Sequence, residues 1–583
     1  MMKSISEKYW KRPVPFVLSE NIVEQAKEFR VSPEIIKILH NRGIRDTGSI
    51  GNFLYPTLQD LRPPSAMKGI TEAAEIICEV LENDGEIIIW GDYDVDGVTA
   101  TSLLVLFFKN FTNNIQWFIP NRFSEGYGLN EKSLKKLVKQ CKSKNLLLIT
   151  VDCGIHNHKE VEIAKKMGCR VIVSDHHEPG KLIVDADVVI NPKQVDCDFE
   201  DDMAGVGLAF YLAAGVRANL RKSTNPKVKC VDVNLKKYLD LVAIGTIADM
   251  VPLKGSNRIL VKAGFEVLNG TSNPGITALL KENHIHSGNI TSEDIGFQIA
   301  PKINAAGRLD DASLAVELFL EEREEVCRKI ARKLTKFNNT RKDVCQKCLD
   351  FTLGSIDNGL NERINCVIEK IDYSIGVLGI VASRIAEKKG VPAILVTEIE
   401  DEIHGKVLKG SCRSVNGINI FKVLQECSEY LLQFGGHAMA AGITLLPEKI
   451  EYFKNKFSRV IEDIPEQKPR PENIDLELEI EKALSVEFIE ELQLLEPFGV
   501  GNKKPKFYDS NVIIQDIRRI GRNGEHISFN KRGKFSNKKC VAFGFGNFEH
   551  NLKEKANFSV IYTVALSRFK RAEKWQAYLA DIM

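Results

Sequence analysis

The sequence predicts an α/β protein that ends in a β-rich segment, and three observations carry the prediction. Short apolar runs of strand length alternate with helix-length segments between about residues 85 and 250, the rhythm of a parallel sheet with crossover helices. The alternation returns between about residues 360 and 460, after a long basic stretch that suits one continuous helix. Five short strand-like runs with interleaved basic and aromatic residues close the chain, a pattern that suits an OB-like β-barrel. The expected architecture is a parallel-sheet domain, a long linking helix, a second smaller α/β domain and a C-terminal OB-like β-barrel.

The totals fit an ordinary globular protein. The chain has 583 residues, 44% hydrophobic and 27% charged, a length that suits roughly three or four domains. No apolar run approaches the ~20 residues that cross a bilayer, and the start, MMKSISEKYWKRP, holds no apolar stretch that could act as a secretory signal. No membrane association is expected. Thirteen cysteines are scattered, with one lone CxxC at Cys345 and Cys348 and no second pair beside it. They read as reduced and structural, and a cytoplasmic location is expected. The net charge of +2 is uneven: from Gly501 onward there are 17 Lys and Arg against 7 Asp and Glu, so the remainder carries −8. Either ordinary surface bias or a basic domain that holds a polyanion accounts for this.

In chain order, residues 1–80 read as a helical preface, with helix-like spacing in IVEQAKEF and PEIIKILHNRG and a stop at Gly43. The turn-rich FLYPTLQDLRPP is expected to drape over the next domain. Four strands are expected at residues 87–90, 146–151, 171–174 and 188–190. LKKYLDLVAIGTIADMVPL reads as an amphipathic helix with Asp249 near its end. Residues 256–350 read as mostly helical, finishing in REEVCRKIARKLTKFNNTRKDVCQKCLDF, either a solvated charged face or the wall of a nucleic-acid channel. In residues 351–465, INCVIEK and PAILVTEI read as strands around the helix GIVASRIAEKKG. Ser411 and Arg413 are expected just after a strand, and Gly435, Gly436 and His437 before a helix-like run. The Pro-rich PEQKPRPE reads as a linker into residues 466–583.

The chemistry concentrates at strand ends. GDYDVDG places Asp92, Asp94 and Asp96 after an apolar run and before a helix. Such a loop is either a solvated acidic turn or a cation site. A calcium loop beginning at Asp92 would need Glu at its twelfth position, where Leu103 stands. Asp152 follows a second strand, Asp175, His176 and His177 a third, and Asn191 a fourth. Ligands of parallel sheets bind at these carboxyl ends. Asp249 sits among apolar residues, where it either caps a turn or meets a metal. A set of Asp92, Asp94, Asp96, Asp152, His176 and Asp249 is mostly hard oxygen, which suits Mn²⁺ or Mg²⁺ better than zinc, and so many carboxylates suggest two ions. His177 is placed to hydrogen-bond a phosphate or give a proton to a leaving oxygen. Asn304 and Arg308 lie in the Gly/Ala-rich PKINAAGRL, which suits close backbone approach. The FGGH glycines either pack tightly or, with a nearby Arg, form an anion pocket.

GDYDVDGVTATSLL, VDCGI, SDHH and GTIADMVPL, in that order, resemble the four motifs of the DHH superfamily of phosphoesterases. RGIRDTGSIGNFLYPTL, PKINAAGRL, GIVASRI, GSCRSV, FGGHAMAAG and LEPFGVGN extend the resemblance, over nearly the whole chain, to the RecJ family within it. The resemblance implies a DHH catalytic domain at 81–255, a DHH-associated substrate-binding domain at 351–465 and an OB-like nucleic-acid-binding domain at 466–583. It implies a two-metal 5′-to-3′ exonuclease on single-stranded DNA, releasing mononucleotides in repair and recombination, with single-strand-binding protein and a helicase as partners by analogy. Asp94, Asp96, Asp152, His176 and Asp249 would bind Mn²⁺ or Mg²⁺. His177 would support catalysis, and Asp92 and Asp175 would support the ligands. Gly435, Gly436 and His437 would hold substrate phosphates, and Asn304, Arg308, Arg384, Ser411 and Arg413 would line the strand's path. One departure stands out: Tyr373–Ser374 occupies the place of an aromatic–His pair usual in the family. Two rivals remain open, a phosphoesterase of short or cyclic oligonucleotides and a non-catalytic replication scaffold on the same fold.

Overall fold

The computed structural model describes residues 2–6, 8–13, 17–199, 201–223, 225, 232–359, 365–401, 403–415, 417–465, 471–533, 537–554, 557–567 and 574–583. The first sheet has five parallel strands in the order Ile115–Phe118, Glu86–Gly91, Leu146–Val151, Cys169–Ser174, Val188–Ile190. Its central strands read as unbroken apolar runs because both faces are covered. Ile87, Ile89, Leu147 and Ile149 pack with the helices Ile70–Glu82, Val95–Phe108 and Gly205–Leu220. Ile88, Trp90, Leu146 and Leu148 face the opposite layer, with Leu134, Leu137 and Val161.

Two expectations need correction here. The sheet has a fifth strand, Ile115–Phe118, half-buried along its length. It pairs on one side only, is four residues long and follows a polar turn, so no apolar run marks it. The helix ending at Asp249 is Leu239–Asp249, after a short 3₁₀ turn, and it is not amphipathic: residues 239–246 are buried on every side. It is enclosed by Val95–Phe108, Gly205–Leu220 and Gly255–Asn269.

The N-terminal helices Glu20–Phe29, Pro33–Asn41 and Thr47–Leu54 turn their apolar faces toward the far end of the chain. Ile35, Ile36, Leu39, Ile50 and Leu54 share a core with Leu476, Phe507, Phe529 and Tyr562 of the barrel. The strand Tyr9–Lys11 pairs in parallel with Glu472–Asn473. The segment expected to drape does so: Leu58, Leu61 and Ala66 lie against the core of the parallel-sheet domain.

The linking helix runs Glu324–Gly359, 36 residues, or about 54 Å at 1.5 Å per residue. Cys327, Ala331 and Leu334 lie in the first domain's core. Cys345, Cys348, Leu353 and Ile356 lie in a core with the helix Ile375–Lys389. One rigid element is therefore anchored in both α/β units. Every cysteine among the described residues is free.

The second sheet orders Gln433–Gly436, Ala440–Leu445, Gly405–Arg413, Ala393–Asp401 and Val367–Lys370. The last two pair in parallel and the rest antiparallel. The run after His437 is therefore a strand and not a helix. Its Ala-Ala-Gly start carries no periodicity, and small residues suit its central place beside Gly405–Arg413. Ser411 and Arg413 lie within that strand rather than after it.

The five C-terminal strands close into a barrel. Phe507–Ile520 pairs with both His526–Lys531 and Asn557–Ser567, and Lys538–Ala542 joins Lys574–Ile582 in parallel. Helices Ile480–Ala483 and Val486–Leu494 precede it. Of the Pro-rich stretch, residues 466–470 lie outside the described residues.

Candidate metal and phosphate site

The carboxyl ends of the parallel strands carry the cluster. Strand Glu86–Gly91 runs into Asp92, and Asp94 caps the following helix, its Oδ1 accepting from the amides of Asp96 at 2.8 Å and Gly97 at 3.2 Å. Gly97 is needed there: a Cβ would stand 2.5 Å from the Asp92 carbonyl oxygen. Asp96, 1% exposed, accepts from Gly205 N at 2.5 Å and Val206 N at 2.8 Å, the first amides of the helix Gly205–Leu220. Helix N-termini favour a carboxylate. Asp152 follows Leu146–Val151 in the left-handed region at φ 60°. It is packed so closely that a Cβ on Gly205 would lie 2.7 Å from its own. Such strain in a non-glycine residue is typical of functional positions.

His176 lies at the centre. Its Nε2 is 3.0 Å from Asp152 Oδ1, 3.7 Å from Asp249 Oδ2 and 3.9 Å from Asp96 Oδ2. Two groups of three with no residue in common, Asp96–His176–Asp249 and Asp92–Asp94–Asp152, each bring ligand atoms within 4.8 Å of one another. Asp92 Oδ1, Asp152 Oδ1, Asp249 Oδ2 and both ring nitrogens of His176 are buried without a hydrogen-bond partner. Asp249 therefore makes no cap through that oxygen. Buried orphan oxygens beside an imidazole fit a hard divalent cation, which would satisfy them at once.

The electrostatics agree. Burial first, and then neighbouring carboxylates, push Asp92, Asp96 and Asp152 well above the usual carboxylate range and Asp249 up to about 7. Burial, and then His177, push His176 down to about 4, so it presents a neutral imidazole. His177 differs. Burial opposes its charge, but Asp175 Oδ1, 2.7 Å from Nδ1, outweighs that and raises it. Asp175 is itself fixed by the amides of Ile155 and His177.

Packed against the acidic loop, the helix Ala300–Leu309 carries Asn304, half-buried, and Arg308 one turn later. Gly307 lets this helix approach the acidic loop, since a Cβ would stand 2.9 Å from the Tyr93 carbonyl oxygen. Arg308 donates to the Gly376 carbonyl at 3.0 Å. Arg413 donates to Ser411 Oγ at 2.8 Å and packs beneath Gly379, where a Cβ would meet it at 2.6 Å. Burial, and then Arg122 and Arg341, lower Arg308 to about 10. Burial also lowers Arg413, with Arg122 adding to it. The charge of Arg384 reaches Arg341 and Cys345 on the linking helix. Gly435, Gly436 and His437 form an exposed hairpin, His437 N donating to the Ala440 carbonyl. Among the described residues no hydrogen bond or ion pair joins that hairpin to the carboxylate cluster. Ser374 caps the helix Ile375–Lys389, so a structural task occupies the departing position.

Two contributors carry no signal in the sequence. Tyr127 Oη lies 3.1 Å from His177 Nδ1 and donates to the Asp152 carbonyl at 3.2 Å. Arg122 lies over the Tyr93 ring, 5.2 Å from its centre. Both belong to the loop after Ile115–Phe118. Recognition of that edge strand would have placed them at a carboxyl end.

Comparison with known proteins agrees with this geometry. The DHH family N-terminal domain matches residues 86–246, the DHHA1 domain 363–463 and the RecJ OB domain 474–581. The chain is 33% identical over 565 residues to the single-stranded-DNA-specific exonuclease RecJ of Bacillus subtilis (strain 168), covering 96% of this chain and 69% of that one. It is 36% identical over 449 residues to the RecJ of Salmonella typhimurium, covering 74% of each. Among solved structures, RecJ of Thermus thermophilus in complex with Mn²⁺ superposes with a TM-score of 0.80 at 28% identity, covering 99% of this chain and 79% of that one. The same protein in complex with Mg²⁺ gives 0.75 at 26% identity, with the same coverage. Strand-end carboxylates, a second α/β unit and a closed barrel, met by relatives of this similarity and coverage, place the chain in the RecJ family of single-stranded-DNA-specific exonucleases.

Proposed function

We propose that this protein is a two-metal exonuclease that hydrolyses phosphodiester bonds of single-stranded DNA from 5′ to 3′, releasing mononucleotides in repair and recombination. The observation that carries the reading is the pair of disjoint ligand groups around His176. Asp94, Asp96, Asp152, His176 and Asp249 would hold Mn²⁺ or Mg²⁺, with Asp92 beside them. When bound, the ions supply Lewis acidity at the phosphoryl group and a nucleophilic water at neutral pH.

The chain's own residues do the rest. Asp175 fixes the Nδ1 side of His177 and favours its proton, so that His177 hydrogen-bonds the phosphate or protonates the leaving oxygen. Arg308, Arg384, Ser411 and Arg413, with Asn304, line the strand's path. Gly435, Gly436 and His437 offer backbone and ring donors to phosphates further along it. The division into 1–80, 81–255, 256–350, 351–465 and 466–583 assigns catalysis to the second unit and strand binding to the last two. Single-strand-binding protein and a helicase as partners, and a cytoplasmic location, belong to the same reading; no described helix is long and apolar enough to cross a membrane.

The test uses strands labelled at either end, single or duplex, with Mn²⁺ or Mg²⁺. A 5′ label should leave at once as a mononucleotide, while a 3′ label persists on a shortening strand. Blunt duplex should survive. Equal attack on duplex and single strands, or none on either, would overturn the reading.

A further inference from the structure

Two of the bodies in this molecule meet with separate apolar cores. One holds the parallel sheet and its helices, drawn from residues 67–334. The other joins the N-terminal helices to the barrel, drawn from residues 22–54 and 476–582. Among the described residues no apolar cluster contains both. A cleft of about 1200 Å³ runs along the joint, lined by Lys254 and Arg258 on one side and Arg42, Asn502 and Lys503 on the other.

One helix of the first body, Gly255–Asn269, reaches across. Arg258 is 3% exposed. Its Nε donates to the Phe53 carbonyl at 3.0 Å, Nη1 to Leu495 at 3.2 Å and Nη2 to Leu494 at 3.1 Å. The guanidinium also lies over the Phe53 ring, 3.7 Å from its centre. One turn later, Lys262 donates to the Leu54 carbonyl and, at 3.1 Å, to Leu494. These carbonyls end the helices Thr47–Leu54 and Val486–Leu494. Helix C-termini leave acceptors unpaired and attract cations. Among the described residues neither cation makes an ion pair with a carboxylate within 4 Å. Burial lowers both, Arg258 to about 9 with Arg42 adding to it and Lys262 to about 8 with Arg258 adding to it, while the Glu496 carboxylate opposes both shifts. A buried cation with no carboxylate in direct contact is costly unless its hydrogen bonds are satisfied, and here the hydrogen bonds of both come from the second body.

We propose that Arg258 and Lys262 form a cationic latch that fixes the barrel and the N-terminal helices relative to the metal cleft. They are positioning residues: the latch sets the grip on strands long enough to reach both bodies, and leaves the chemical step alone. This rests on the exonuclease reading. Two binding surfaces on one strand gain affinity only while their geometry allows both to engage.

The test compares full-length Arg258→Ala, Lys262→Met and Arg258→Lys on a trinucleotide and on a strand of about 40 nucleotides, with Mn²⁺. In the first two, KM for the long strand should rise about tenfold, with kcat and trinucleotide cleavage within about twofold of wild type. Arg258→Lys keeps the charge but loses the fork and should fall between. Equal loss on both lengths, or an unchanged KM, overturns the latch. If Arg258→Ala does not fold, the same comparison in Lys262→Met decides. Small-angle scattering reads the joint without activity: an unchanged radius of gyration in the folded variants also overturns the latch. A wild-type protein inactive on both lengths would instead sink the exonuclease reading.

Discussion

Asp152 shows how much one position can combine. It holds a left-handed backbone, stands 3.0 Å from His176 and carries an orphaned oxygen among four other carboxylates. Without a cation, these groups repel one another in a buried space. Asp152→Asn should therefore abolish cleavage and weaken Mn²⁺ binding by calorimetry, yet raise the melting temperature of metal-free protein by a few degrees. A lower metal-free melting temperature would mean that the carboxylate is structural. Tyr127 makes a subtler prediction. Tyr127→Phe removes the hydroxyl beside His177 and Asp152. Support of this kind is worth about 10–100-fold, so kcat should fall about tenfold with little change in KM. An unchanged kcat would leave the hydroxyl without a role. The aspartates and His176 were legible in the sequence because acidic residues after apolar runs are uncommon. Tyr127 was not, because a tyrosine in a polar loop looks like any other.

At the scale of elements, the helix Leu239–Asp249 carries a liability at its first turn. Asp240 is 2% exposed, accepting from Thr271 Oγ1 at 2.6 Å and from the Leu241 amide at 2.8 Å. Burial pushes it up to about 6, despite both hydrogen bonds. A carboxyl with a raised folded pKa contributes its stability below the unfolded value of 3.8, and that contribution is lost as pH climbs through about 6. Asp240→Asn should thus stabilise the protein at pH 8 by up to about 3 kcal/mol, with the advantage vanishing near pH 4. The Thr271 hydroxyl can reverse to accept from the new amide. Denaturant melts at the two pH values check this, and a pH-independent difference would contradict it. Strands and helices flanked by partners were readable from apolar runs. The edge strand Ile115–Phe118 and the strand Ala440–Leu445 were not: one lacks a second neighbour, and the other is made of residues too small to show a period.

At the scale of the molecule, the N-terminal helices depend on residues more than 400 positions away. Ile35, Leu39, Ile50 and Leu54 pack with Leu476, Phe507, Phe529 and Tyr562. Removing residues 471–583 strips that core, at about 25 cal/mol for each Å² of apolar surface returned to water. Trypsin should then cut rapidly within residues 20–54, while the sheet of residues 86–190 resists. Continued protection of the N-terminal helices would show that they fold without the barrel. The linking helix adds a second long-range constraint, because its two ends lie in different cores.

By itself the sequence determined four of the five strands of the parallel sheet, the acidic loop at its carboxyl edge, the long helix and the five strands of the barrel. Local periodicity and charge are enough for these, since each element states its own burial pattern. Only the tertiary structure decided that the helical start belongs with the barrel, that Tyr127 and Arg122 face the metal cleft, and that Arg258 and Lys262 bridge two bodies. Those facts depend on which surfaces meet across hundreds of residues. A chain records its own hydrophobic rhythm, but not the identity of the partner that covers it.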